Sequence, residues 1–120
     1  MKNLICVSAP SGSGKTTLCK AIRRIRPDLV WSVSCTTRVP RNGEKDGEDY
    51  YFKTKEEFLL MIDEGEFAEW ENVHGNFYGT MKSRLNDSIK KNEIVLLELD
   101  VNGTTSIQKI YPNHSYSIFI

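Results

Sequence analysis

An α/β fold, built as a mostly parallel sheet flanked by helices, is what the 120 residues predict. Three observations carry that expectation. The apolar run "NLICVS" passes through the glycine-rich "APSGSGKT" (9–16) directly into a helical pattern. Two later runs, "EIVLLELDV" (93–101) and "YSIFI" (116–120), are also continuous instead of alternating, as strands covered on both faces are. From Arg38 to about Gly79 the texture turns charged, aromatic and glycine-punctuated, which marks an insertion.

The first strand lies in "NLICVS". In "KTTLCKAIRRIRP" the residues Leu18, Ala21, Ile22 and Ile25 recur at helical spacing, and Pro27 closes the segment. "LVWSVSCTT" (29–37), rich in β-branched and aromatic residues, reads as the next strand. "NGEKDGEDYYF" reads as an exposed turn leading into a short strand. Thr54 followed by Glu57 makes a capping box for the helix "KEEFLLMIDE", and Gly65 stands where a left-handed C-terminal cap belongs. "FAEWENVHGNFYG" reads as a hairpin turning at His74 to Asn76. "TMKSRLNDSIKKN" reads as an amphipathic helix with Leu85 and Ile89 one turn apart, and residues 102–111 as a shorter helix ending before Pro112. The expected organisation is one domain, with a core of residues 1–33 and 81–120 and a subdomain of residues 34–80 inserted.

Sixteen basic and sixteen acidic residues leave no formal net charge, which excludes a global attraction to nucleic acid or an anionic membrane. Any affinity for phosphate must be local. Cys6, Cys19 and Cys35 are odd in number and sit in or beside apolar segments, in none of the paired spacings of a disulfide framework or zinc site, so buried reduced thiols are expected. No apolar stretch approaches the roughly eighteen residues of a membrane span. "LICVSA" is shorter than the hydrophobic region of a signal peptide, and a cytoplasmic protein is expected.

"APSGSGKT" follows the phosphate-cradling pattern G-x-x-x-x-G-K-[ST], except that Ala9 replaces the first glycine. In such a loop glycines let backbone N–H groups face phosphate oxygens, and the following helix adds its positive N-terminal dipole. Gly12 and Gly14, nearer the phosphates, are retained; Ala9 begins the turn, where a small side chain at negative φ is tolerated. Lys15 would then pair with the β and γ phosphates, and Thr16 would hold Mg²⁺. Asp100, leaving "IVLLELD", stands where a P-loop protein places a group for Mg²⁺ or its water shell, although strands also end in Asp for turn reasons. The fold class expected is therefore of the P-loop NTPase type.

In the insertion, Arg38 and Arg41 flank Pro40 in "TTRVPRNGE". Two guanidinium forks three residues apart on an extended loop suit a terminal phosphate monoester, and equally suit a solvated basic turn. Tyr50 and Tyr78, each beside another aromatic, could donate phenolic hydrogen bonds to that phosphate or pack in the core.

The blocks "SAPSGSGKTTL", "SVSCTTRVPRNGEKDGEDYYF", "GEFAEWENVHGNFYGT" and "LLELDVNG" resemble, in order and separation, the signature blocks of the guanylate kinase family. The resemblance runs along the whole chain. It implies a nucleoside monophosphate kinase that phosphorylates GMP to GDP, with ATP as donor, Mg²⁺ as cofactor, and GMP, with dGMP left open, as acceptor. It implies an ATP-binding stretch of Ala9, Pro10, Ser11, Gly12, Ser13, Gly14, Lys15, Thr16 and Thr17. Arg38, Arg41, Tyr50 and Tyr78 would bind the GMP phosphate, with Glu44 supporting the arginines, and Ser34, Glu69, Thr80 and Asp100 would line the guanine site. Lys15, Arg38, Arg41 and Asp100 would carry the catalysis, and Thr16 and Asp100 the metal. Guanine offers N1–H and an exocyclic amine as adjacent donors, so one carboxylate such as Glu69 accepts both; adenine has an acceptor at N1.

Two positions depart from the family pattern. Glu98 stands where aspartate is usual, and Asn102 where glutamine is often found. Members of the family also continue past the strand equivalent to "YSIFI" through an arginine-bearing lid, a further strand and a C-terminal helix. On that resemblance the residues present are expected to bind nucleotide better than they turn it over, with an apolar last strand open to self-association. The alternative from another class is a non-catalytic guanylate-kinase-like module that binds nucleotide or protein.

Overall fold

The computed structural model describes residues 2–8 and 14–119, with Lys15 and Thr16 described by their backbone alone. The elements are β1 (Leu4–Ser8), α1 (Lys15–Ile25), β2 (Val30–Trp31), β3 (Cys35–Thr36), β4 (Tyr51–Phe52), α2 (Lys55–Asp63), β5 (Phe67–Val73), β6 (Asn76–Met81), α3 (Lys82–Lys90), β7 (Val95–Glu98), α4 (Val101–Ile110) and β8 (Ser115–Phe119). They group into two compact units, one drawn from residues up to Ser32 and from Arg84 onward, the other Val33–Ser83. Among the described residues no helix is long and apolar enough to cross a membrane.

In the first unit four strands lie in the order β2-β7-β1-β8, and every pair is parallel. Leu4 and Cys6 register with Val95 and Leu97, and all four are buried. On the alternate positions Val7 and Leu96 form a cluster with Cys19 of α1, against which Ile5, Ile22 and Trp31 pack. Each such aliphatic side chain contributes about 1.5–3 kcal/mol relative to remaining in water. Cys6, Cys19 and Cys35 are fully buried, as their apolar settings require.

The helical stripe expected on α1 needs correction. Leu18 and Ile25 are exposed, and Cys19 with Ile22 faces the sheet. At about 100° per residue, Leu18 and Ile25 lie roughly 70–90° away from the Cys19–Ile22 direction, on the helix flank. The final strand also differs from a strand covered on both faces: Tyr116 and Phe119 are 57% and 66% exposed, and among the described residues β8 is an edge strand paired with β1.

Residues 29–37 are not one strand. Val30 and Trp31 pair with β7, whereas Cys35 and Thr36 pair antiparallel with β6 and parallel with β4. The break is visible in the hydrogen bonds: Ser32 N–H donates to Leu96 O in the first sheet, and Ser34 O accepts from Tyr51 N–H in the second. One apolar stretch thus serves two sheets, which no continuous strand can do.

The second unit is a sheet in the order β4-β3-β6-β5 carrying α2. Thr54 and Glu57 form the reciprocal capping box at the start of α2. At its end Gly65 N–H bonds Ile62 O and Glu66 N–H bonds Met61 O, the paired closure of a Schellman motif. β5 and β6 meet at a two-residue turn, His74 and Gly75, both at positive φ. That geometry matches the right-handed twist of the strands, and Gly75 adopts it without a Cβ penalty. Met81 ends β6 and α3 starts at Lys82, later than the sequence pattern suggests.

Phe58, Phe67 and Phe77 form the core of this unit with Cys35. Phe58 stacks on Phe67 at 4.4 Å between centroids and on Phe77 at 5.3 Å. β6 crosses beneath them at Gly79, where a Cβ would stand 2.8 Å from Phe67 Cδ1 and 3.0 Å from Phe58 Cζ. Gly79→Ala is therefore expected to force these stacked rings apart and cost about 1–3 kcal/mol. Urea denaturation followed by tryptophan fluorescence, with Trp31→Phe as background so that Trp70 of this unit reports, checks it; an unchanged midpoint would show that the rings give way freely.

Candidate functional site

β3 ends at Thr36, and the chain leaves the sheet through Thr37 to Arg38. The Arg38 side chain is only 10% exposed, and its fork is met squarely. Nη1 and Nη2 donate to Glu44 Oε1 and Oε2, each at 2.9 Å, and Nη1 also to Val39 O at 3.1 Å. Glu44 Oε1 accepts a third bond, from Arg41 N–H at 2.7 Å. The Arg38 guanidinium lies over the Tyr50 ring, 5.0 Å from its centroid, and Tyr50 meets Tyr78 edge-on at 6.1 Å.

This arrangement fixes charge states. The hydrogen bond from Arg38, then the Arg41 amide, hold the Glu44 carboxyl down to about 2 from an ordinary 4.5. Glu44 in turn pushes Arg38 above its ordinary value, with the Tyr50 and Tyr78 hydroxyls adding to the effect against the cost of burial. Arg38 is thereby a permanently charged, immobilised fork beside two phenols.

The acidic turn that follows is occupied by its own closure. Asp49 Oδ2 accepts from Lys45 N–H at 2.7 Å, and Asp46 Oδ1 from Phe52 N–H at 2.9 Å. These carboxylates present Tyr50 next to β4. Arg41 supplies its backbone to Glu44 while the residue itself is exposed. Ser34 is half-buried, with its carbonyl on Tyr51 N–H.

Across the hairpin Glu69 of β5 stands opposite Thr80 of β6, next to a register shift between Phe67 and Glu69. Thr80 Oγ1 donates to Glu69 Oε2 at 2.7 Å, and Thr80 is 2% exposed. The register shift leaves Ala68 as the extra residue on β5 and brings Glu69 opposite Thr80.

The other expected residues belong to the first unit. Ala9, Pro10, Ser11, Gly12 and Ser13 lie outside the described residues, as do the side chains of Lys15 and Thr16. Gly14 is the N-cap of α1 at φ +86°, a left-handed conformation that glycine adopts readily, with no side-chain cap. Leu18 N–H makes the first helical bond to Gly14 O, so the N–H groups of Lys15, Thr16 and Thr17 have no intrahelical acceptor. No acid occupies that first turn, which favours an anionic ligand there.

β7 ends at Glu98, and Asp100 is the N-cap of α4, its Oδ1 accepting from Gly103 N–H at 2.6 Å. The turn reason for an acid at this point is realised. The second oxygen, Oδ2, takes no part in that bond. Among the described residues no group of three or more His, Cys, Asp or Glu side chains could hold a metal ion.

Three further residues contribute that the sequence analysis does not single out. Thr36 and Thr37 tie β3 to Phe77 by their hydroxyls, and Gly79 gives the aromatic core its clearance. The doubled threonine before Arg38, and a glycine between two polar site residues, were the available signals.

The guanylate kinase family model matches residues 1–120. The chain belongs to the guanylate kinase family. It is similar to a guanylate kinase of Fusobacterium nucleatum, 47% identical over 116 residues, covering 97% of this chain and 62% of the relative. It is similar to one of Geobacter metallireducens, 50% identical over 117 residues, covering 98% of this chain and 57% of that protein. The crystal structure of guanylate kinase from Anaplasma phagocytophilum superposes with a TM-score of 0.78 at 38% identity, covering 98% of this chain and 58% of that one. The chain therefore spans little more than half the length of the guanylate kinases it matches.

The depressed Glu44 pKa has a sign. A carboxyl whose folded value lies below its unfolded one adds stability that is fully present above about 4.5 and is lost as pH falls through about 2. Wild-type protein should lose urea resistance across that acid window, and Glu44→Gln should be weaker at neutral pH and flatter below it. Urea midpoints at a series of pH values test this; parallel curves for the two proteins would refute the role of Glu44.

Proposed function

We propose that this protein transfers the γ phosphate of ATP to GMP, making GDP. The observation that carries the reading is the Arg38 fork, held by Glu44 over the Tyr50 ring, which itself meets Tyr78, at the exit of β3. A phosphate monoester presents oxygens to donors of this kind, and charge-assisted bonds to Arg are worth about 1.5–3 kcal/mol each. Arg38, Arg41, Tyr50 and Tyr78 take the GMP phosphate in this reading, with Glu44 holding the first arginine in place. Ser34, Glu69, Thr80 and Asp100 take the base. Glu69, oriented by Thr80, accepts from guanine N1–H and the exocyclic amine, whereas adenine leaves it with an unsatisfied partner.

The residues Ala9 to Thr17 hold the ATP phosphates, the glycines by backbone N–H groups and Lys15 by charge. One acceptor oxygen of GMP attacks the γ phosphorus in line as the bond to the ADP oxygen breaks; a phosphate oxygen that is already ionised needs no general base. Alignment by Arg38 and Arg41 converts this into an effectively intramolecular step.

Mg²⁺ fits the residues as a companion of the nucleotide. Thr16 and Asp100 supply two hard oxygen donors, and Mg²⁺ is characteristically held by one or two protein groups together with phosphates and waters. When bound, it neutralises charge on the transferring group. A dedicated protein cage is not required for such an ion. The same reading makes the protein cytoplasmic, acting in purine nucleotide metabolism on small molecules, with dGMP as a second acceptor and without nucleic acid or membrane as partner.

ADP formation coupled to NADH oxidation, with GMP or AMP as acceptor, is the direct measurement. GMP is expected to be preferred by about 10⁴-fold in kcat/KM, the scale on which sites that hydrogen-bond a substrate reject its analogue. Glu69→Gln should erase most of that preference while leaving ATP binding intact. Equal turnover of GMP and AMP, or equal calorimetric affinity for them by the folded protein, would overturn the assignment.

A further inference from the structure

β3 is two residues long, which is little anchorage for a strand whose next residues carry the phosphate-binding fork. Its end is reinforced by side chains. Thr36 is fully buried, and its hydroxyl donates to Phe77 O at 2.9 Å while accepting from Arg38 N–H at 3.2 Å. Thr37 N–H reaches the same Phe77 O at 3.1 Å, and Thr37 Oγ1 accepts from Phe77 N–H at 2.9 Å. Both ends of the Phe77 residue are thus clamped, and the clamp continues without a gap into the backbone of Arg38.

We infer that Thr36 and Thr37 are positioning residues for phosphate recognition, setting the Arg38 fork at a fixed distance from Tyr78. The inference rests on the GMP reading of the site. Phe77 is the neighbour of Tyr78 in β6, and its ring is locked in the stack with Phe58, so this strand is a rigid reference. Thr36 is registered opposite Tyr78 itself. The Thr36 hydroxyl spends its single proton on Phe77 and a lone pair on Arg38, which uses it as a two-way connector. A hydroxyl bonding the N–H two residues on is a local turn device, here recruited to turn the chain out of the sheet at a defined angle. Val at position 36 would keep the shape and burial and remove both bonds, so Arg38 would leave β3 without its tie.

A general loosening of the unit weakens every ligand contact, whereas misplacement of the fork weakens only those made by the phosphate. Calorimetry of GMP and of guanosine on the same protein separates the two. For Thr36→Val, folding being established by circular dichroism, GMP affinity is expected to fall about tenfold with guanosine affinity unchanged within about twofold. Thr36→Ser, which restores donor and acceptor, should recover the GMP affinity. Thr37→Val should show the same selective loss, and it carries the test should Thr36→Val not fold. Wild-type protein that prefers GMP to guanosine, with valine variants that keep the full preference, would sink the positioning role alone. Equal loss for both ligands would reduce the threonines to a purely structural part and also overturn it. Wild-type protein with no preference for GMP over guanosine would remove the phosphate site and this inference with it.

Discussion

An arginine recognises phosphate well only when it is charged, dehydrated and still, and the bidentate contact with Glu44 secures all three for Arg38. Burying a guanidinium to a tenth of its exposure would be costly alone, and pairing it with a carboxylate offsets the loss of water. That pairing cancels its charge at long range. In the proposed site the attraction for an anion would then come from the exposed guanidinium of nearby Arg41 and from direct hydrogen bonds at close quarters. Such a site discriminates by geometry more than by electrostatic pull, which suits a chain with no net charge.

The geometry comes from one strand used on both sides. Along β6, Phe77 and Gly79 belong to the aromatic core, one contributing a ring and the other its absence, while Tyr78 meets Tyr50 and Thr80 bonds Glu69 in the proposed site. A strand's side chains alternate, so a slip of one residue would exchange core for site over its whole length. Three things prevent that slip: the tight turn at His74 and Gly75, the register shift beside Glu69, and the clamp of Thr36 and Thr37 on Phe77. Stability of the core and precision of the site are consequently the same property.

Much of this was legible in the residues, and what was not has physical causes. Local signals did well where the cause is local: the Thr54–Glu57 capping box, the Gly65 helix end, the His74–Gly75 turn. Parallel pairing is legible in the continuous apolar runs of β1 and β7, which are largely buried, whereas β8 is parallel with most of its residues exposed. Residues 29–37 misled because β propensity reports fitness for a sheet and not which sheet, and the change of sheet at Ser32 to Ser34 has no composition of its own. α1 misled in another way. Its buried face is set by a cysteine, small enough to sit against Val7 and Leu96, and a stripe of larger aliphatics at helical spacing drew attention from it. In the site, Arg38, Tyr50 and Tyr78 do come together, but the clamp beneath them depends on hydroxyls about forty residues from their acceptor, a separation no window along the sequence spans.

Asp100 shows why residue type alone underdetermines role. An acid after a buried strand suits a metal, and it equally suits the first turn of the next helix, where it finds an N–H group in need of an acceptor. The structure realises the second at 2.6 Å through Oδ1. The cap need not compete with the role proposed for Asp100, since a side chain already fixed through one oxygen would lose little rotamer freedom in offering the other. Glu44 follows the same logic in the other unit, where bonds to Arg38 and to the Arg41 amide hold a carboxylate that orients an arginine. In both places a backbone N–H is satisfied by an acid to which the proposed function also gives a part, so the side chain would be ordered by the fold before any ligand arrives.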